Sequence, residues 1–231
     1  MHRVGGKMRD ILSEIVRIGA ENNVRKVVLF GSRARGDNHP GSDYDIAFIS
    51  AGIDEYTKNR IKDRVSELDT LYKIDLVFLN DLNDSDSLTE NIIKDGVVLM
   101  DKFTVKFENY KQALVRLKEA AEDFKKTQLF SVRDGVIQRF KFTAELAWKT
   151  VREYLIEQGV IGINTPKTVM REAFAVGLIK DEDSWISILN DRNGMSYMYS
   201  EKEADAVFGR ITGKHIALFE ELEGVLGSTQ E

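Results

Sequence analysis

No cysteine occurs in the 231 residues. That absence removes disulfides, thiolate zinc sites and thiol nucleophiles together, and it fits a reducing compartment, so a cytoplasmic protein is expected. No segment approaches the roughly 18 consecutive apolar residues that a membrane span needs, and the opening MHRVGGKMRDILSEIV lacks the apolar core of an export signal. An excess of positive charge is missing too. With a net charge of −5 and a pI near 5.4, the surface as a whole is not built to grip a phosphate backbone, because that binding rests on Lys and Arg. Nucleic acid is therefore not the expected partner. What is present is the composition of a folded chain, 42% apolar and 31% charged, with enough length for one large domain or two modest ones.

The two halves follow different periods. Up to residue 101 helix and strand alternate: 7–22 places Ile11, Leu12, Ile15, Val16 and Ile18 at helical spacing, and 26–30 is a short β-rich run. Residues 43–49 read as a second strand, 55–71 as a helix, 74–79 as a third strand and 96–100 as a last apolar run. These strands are apolar on both faces, so they belong inside a sheet covered by helices. From residue 102 strand signals vanish. Phe107, Tyr110, Leu114, Leu117, Ala121 and Phe124 step by three and four, as do Val136, Phe140, Ala144, Ala147, Val151 and Leu155. Thr165 ahead of Pro166 is an N-cap followed by proline at the first helical position, opening a helix through Leu178. Two more helices are expected, at 184–190 and 201–226. The fold class is α+β: a sheet with helices over 1–101, then an all-α up-and-down bundle over 102–231. The boundary rests on the change of period, since the linker is not rich in Pro or Gly.

One stretch of the first half carries chemistry, GSRARGDNHPGSDYDIAF at 31–48. Side chains alternate along a strand, so Asp43 and Asp45 point one way while Tyr44 and Ile46 point the other. Two carboxylates about 5 Å apart at an effective dielectric near 20 repel by roughly 3 kcal/mol, and a divalent cation compensates them economically. Asp75, in KIDLVF, brings a third carboxylate from a neighbouring strand. Hard oxygen donors without His or Cys select Mg²⁺ or Mn²⁺ over zinc. Gly31-Ser32 ends a strand where, without a Cβ, backbone N–H groups and the Ser32 hydroxyl approach a phosphate closely, and Arg33 and Arg35 add cationic forks. Singly, a Gly-Ser pair or an Asp-x-Asp is usually a solvated turn. Their joint order along the chain carries the catalytic reading: a metal-bound nucleoside triphosphate and transfer of part of it.

Gly31-Ser32, Arg35-Gly36, Ser42 and Asp43-x-Asp45 together resemble the signature of the minimal nucleotidyltransferases, small members of the DNA polymerase β superfamily, over about the first 100 residues. The resemblance implies a mixed sheet of nucleotidyltransferase type. It also implies that Gly31, Ser32, Arg35 and Ser42 hold the triphosphate, that Asp43 and Asp45 bind the metals, and that Asp75 completes the site and helps deprotonate an acceptor hydroxyl. Family members commonly transfer AMP from ATP and release pyrophosphate.

In the second half, IQRFKFTAELAWKTVREYL, TPKTVMREAFAVGLI and DRNGMSYMY resemble the HEPN-like helical proteins described as substrate-binding partners of such transferases. Their motif reads Arg-x4-His-x-Tyr. The Arg and His cleave RNA, and the Tyr accepts AMP from the partner transferase. Here Arg192 and Tyr199 fall on the Arg and Tyr, while Tyr197 takes the histidine position. Histidine titrates near about pH 6.5 and tyrosine near about pH 10, so ribonuclease activity is not expected. The family also implies a homodimer through the helical half. Gln138, Glu145 and Lys149 share one helix face that reads as solvated, and Trp148 and Trp185 read as core or interface anchors. Three readings stand open: AMP transfer to a hydroxyl acceptor such as Tyr199, a fused toxin–antitoxin-like regulator with an inactive HEPN half, and a transferase of aminoglycoside type acting on a small molecule.

Overall fold

Four of the five residues in Lys26–Phe30 are buried, because a run of Val, Leu and Phe suits the centre of a sheet covered on both faces. In the computed structural model, which describes residues 4–80, 87–195 and 200–229, this strand is β1. It pairs antiparallel with β2 (Tyr44–Ile49) on one side and with β4 (Val97–Asp101) on the other. At the edge, β3 (Ile74–Leu79) runs parallel to β2, giving a mixed sheet of order β3-β2-β1-β4. A parallel pair needs a crossover, and α3 (Glu55–Ser66) provides it, capped by Asp54, whose carboxylate accepts the Thr57 N–H at 2.7 Å.

Helix α1 (Val4–Glu21) and α3 cover one face, where Ile15, Ile18, Ile61 and Val65 meet Val27, Leu29, Tyr44, Ile46 and Phe48. The approach of α1 is close: a Cβ at Gly19 would stand 2.7 Å from a Val27 methyl. On the other face Ile92 of α4 (Ser87–Asp95) packs with Val28, Phe30, Ala47 and Ile49. Two elements were not expected from the sequence. One is α4, and the other is α2 (Gly31–Arg35), too short to show a period. The helix expected to reach residue 71 stops at Ser66, where Thr70 turns the chain by accepting the Tyr72 N–H at 3.1 Å.

Among the described residues after β4 the regular elements are all helical, and the chain divides into two compact units, Met1–Lys102 and Phe103–Glu231. The apolar seams of α5 (Lys102–Thr127) and α6 (Phe130–Glu157) are buried from Phe107 to Leu117 and from Val136 to Leu155. They enclose a core with Val169 and Met170 of α7 (Pro166–Ala175) and Trp185 and Ile188 of α8 (Glu182–Gly194). Thr165 caps α7 through a reciprocal pair with Thr168. The single helix expected over 201–226 is interrupted: α9 (Glu201–Arg210) and α10 (Ile216–Ser228) flank a π turn at Ile211–His215. The wider turn shifts the helix phase. His215 is thereby buried, its ring stacked on Phe140 with centroids 5.3 Å apart and its Nε2 2.8 Å from Asp191 Oδ2. Below it Phe219, Leu222 and Leu226 fill the core, each contributing about 1.5–3 kcal/mol by burial.

Candidate functional site

The register of β2 against β3 sets Asp45 directly beside Asp75, and Asp43 lies just before β2. Tyr44 and Ile46 point into the core while Asp43 and Asp45 stay half-buried, as strand alternation requires. Burial, and then the charges of Asp75 and Asp43, push the Asp45 carboxyl above its usual range; Lys73 and Arg35 oppose them. These three carboxylates therefore share one field.

Gly31 closes the site from β1. Its φ of 71° lies in the left-handed region, and an added Cβ would stand 2.2 Å from Asp45 Oδ2. Only glycine lets the Asp45 carboxylate rest against the backbone at this corner. Ser32 and Arg35 follow on α2, which ends in Gly36, also left-handed, with its N–H donated to the Ser32 carbonyl. Arg35 pairs with Asp37 at 3.2 Å on the surface. Ser42 turns the loop into β2: its hydroxyl accepts the His39 N–H at 2.9 Å, and its own N–H reaches the His39 carbonyl at 3.0 Å.

Arg33 does not offer itself as the phosphate fork that the sequence suggests. Its guanidinium packs against the rings of Tyr44 and Tyr72, 4.0 and 4.7 Å from their centroids, and donates to the carbonyls of Ser42 and Asp43 at 2.7 and 3.1 Å. It pins the backbone that carries Asp43. Spacing alone holds no sign of this clamp, because Tyr72 comes from beyond α3.

Lys73 was also missed. Its ammonium donates to Asp75 Oδ2 at 2.6 Å and lies 3.9 Å from Asp43 Oδ2. The Lys-x-Asp alternation in KIDLVF was the available signal, since it places both side chains on one face. The donor set is of the chemistry a hard divalent cation takes: three neighbouring carboxylates, with no nitrogen or sulfur ligand among them. Among the described residues no three acidic or imidazole groups stand ready in ligating geometry, and Lys73 supplies the cationic charge that the cluster calls for.

Several of the helical residues singled out from the sequence meet around Glu145. Arg192, near the end of α8, donates to Glu145 of α6 and to Asn193 at 2.9 Å. Glu145 also accepts the Trp148 Nε1–H at 3.0 Å and pairs with Lys149 at 2.8 Å; Gln138, on the same face, is exposed, so the face expected to be solvated also carries an ion-pair cluster around Glu145. Trp185 is core. Tyr197 and Tyr199 lie outside the described residues.

Residues 105–227 match the family model described as nucleotidyltransferase substrate binding protein like, and residues 13–104 match polymerase beta, nucleotidyltransferase. Over 81 residues the chain is 35% identical to a probable ribonuclease HepT of Haemophilus influenzae, an alignment covering 33% of this chain and 56% of that protein. The chain thus spans about half the length of the curated relative it matches. A solved structure from Thermus thermophilus is 35% identical, with a TM-score of 0.47, over 53% of this chain and 99% of its own. A Haemophilus influenzae structure described as revealing the fold of a substrate binding domain of a nucleotidyltransferase is 26% identical, with a TM-score of 0.47, over 52% and 98%. A mutant of the toxin-antitoxin MntA-HepT is 20% identical, with a TM-score of 0.47, over 55% and 97%.

Proposed function

The chain belongs to the nucleotidyltransferase substrate binding protein-like family and carries a polymerase β-type nucleotidyltransferase domain ahead of that region, and on this premise we propose that it transfers AMP from ATP to a hydroxyl acceptor. The observation that carries this reading is the register that sets Asp45 beside Asp75, with Asp43 next to them and Gly31 against the Asp45 carboxylate. Asp43, Asp45 and Asp75 would hold Mg²⁺ or Mn²⁺, which when bound supplies positive charge to the triphosphate and to the leaving pyrophosphate. Backbone N–H groups at Gly31 and Ser32 bind phosphate oxygens, with the Ser42 hydroxyl and Arg35 alongside. Asp75 takes the proton from the acceptor hydroxyl. The acceptor oxygen bonds to the α-phosphorus, the bond to the bridging oxygen breaks, and pyrophosphate leaves with that electron pair. The Arg33 clamp keeps Asp43 in place through its backbone.

The helical region holds or presents the acceptor, a tyrosine such as Tyr199 in the same chain or in a second copy of a homodimer. A second reading is favoured by two observations: the Arg192 guanidinium is engaged by Glu145, and Tyr197 stands where RNA cleavage would use a histidine. On that reading the chain is a fused toxin–antitoxin-like regulator without ribonuclease activity. We assign it to the cytoplasm; no helix of the described residues is long and apolar enough to cross a membrane.

One experiment separates the readings. The purified protein is incubated with ATP and Mg²⁺, its intact mass is measured, and the modified peptide is mapped. A gain of one AMP on Tyr199, lost in the Asp43→Asn, Asp45→Asn double variant, is the expected result. ATP bound without a mass gain would move the reading to the regulator, and turnover retained by the double variant would sink the carboxylate site.

A further inference from the structure

Lys73 stands just before β3 with its side chain on the Asp75 face, 67% exposed, and its ammonium enters the carboxylate cluster from the solvent side. It donates to Asp75 Oδ2 at 2.6 Å and reaches to 3.9 Å from Asp43 Oδ2. One flexible cation is thus bonded to Asp75 and stands close to Asp43, on the face where the register also sets Asp45. The Asp75 oxygen it holds belongs to one of the carboxylates that would carry a divalent cation, so the ammonium and the metal would compete for it. A long, exposed lysine stem leaves such a position at low cost once a stronger anion lies within reach. The triphosphate of a nucleotide is that anion.

We propose that Lys73 is a displaceable internal counter-cation: it neutralises the Asp43, Asp45 and Asp75 cluster in the nucleotide-free protein and makes metal loading depend on arrival of the triphosphate, which draws the ammonium away. This rests on the metal-and-nucleotide reading of the site. It adds that the nucleotide-free cluster discriminates against bare metal, and that the discriminating group is a side chain outside the polymerase β-type motif.

The test is Mn²⁺ binding by titration calorimetry, with and without a non-hydrolysable ATP analogue, on the full-length protein and on Lys73→Gln and Lys73→Arg. For an exposed ion pair, Lys73→Gln should bind Mn²⁺ alone about two- to five-fold more tightly than the parent. The analogue should improve Mn²⁺ affinity less in Lys73→Gln than in the parent, while Lys73→Arg keeps the parent's behaviour. Equal or weaker Mn²⁺ affinity for Lys73→Gln in the absence of nucleotide overturns the proposal while leaving the site reading intact. Failure of the parent to bind Mn²⁺ even with the analogue present takes down the site reading, and the Lys73 proposal with it.

Discussion

Gly31 and Arg33 are two residues apart and answer to different constraints. At Gly31 the constraint is local space: φ is 71° and the site for a Cβ lies 2.2 Å from Asp45 Oδ2. Gly31→Ala should cost about 1–3 kcal/mol from backbone strain alone. It should also push the Asp45 carboxylate from its place and so abolish the proposed transfer. The loss is measurable by hydrogen exchange over β1 and β2 together with the AMP-transfer assay; a variant with normal protection and normal turnover would contradict the packing argument. At Arg33 the constraint is reach, since one guanidinium joins two tyrosines and two carbonyls across a turn. Both residues sit in the motif read as phosphate-binding, but only the conformational need of Gly31 is visible in residue type.

At the scale of the element, the π turn between α9 and α10 decides the chemistry inside the helical unit. It turns His215 inward against Asp191, which Arg210 also holds through two contacts, at 2.7 and 2.8 Å. Burial pushes the Asp191 carboxyl up, but the hydrogen bonds from His215 and Arg210 outweigh it and hold the carboxyl at about 2. A carboxyl depressed in the folded state stabilises fully above its ordinary value near 3.8, and that contribution fades as pH falls from there toward about 2. Its size is on the order of 2 kcal/mol. Asp191→Asn should therefore be less stable than the parent at neutral pH and converge with it near pH 2, read by tryptophan fluorescence during urea unfolding. Parallel stability curves across that window would contradict the coupling. Residues 201–226 carry a helical apolar pattern throughout, and a pattern of that kind does not reveal where one residue is added to a turn.

At the scale of the whole molecule, each unit has its own core, with helices on both faces of the sheet in one and a helical interior in the other. Both tryptophans, Trp148 and Trp185, lie in the second unit, so their fluorescence follows that unit alone. A 103–231 fragment should give a tryptophan melting transition within a few degrees of the parent's, and collapse of that transition would show that the helical core depends on the first unit. The α+β class was legible in the sequence because hydrophobic period is a local property: alternating helix and strand before residue 101, steps of three and four after it. Strands 26–30 and 74–79 were placed to the residue for the same reason, as was the Thr165-Pro166 helix start, a matter of two adjacent residue types. The short α2 and α4 were not legible, since neither is long enough to establish a period. The sequence by itself determined the residue types of the candidate site and the faces on which alternation puts them. Only the tertiary structure decided that Asp75, expected from the sequence to join the cluster, pairs in register with Asp45, that Lys73 enters the same cluster, that Arg33 is spent on the backbone beside Tyr44 and Tyr72, and that His215 faces Asp191. Each of these joins segments separated by a crossover or a helix, and strand register and helix phase are settled when the cores pack, not along the chain.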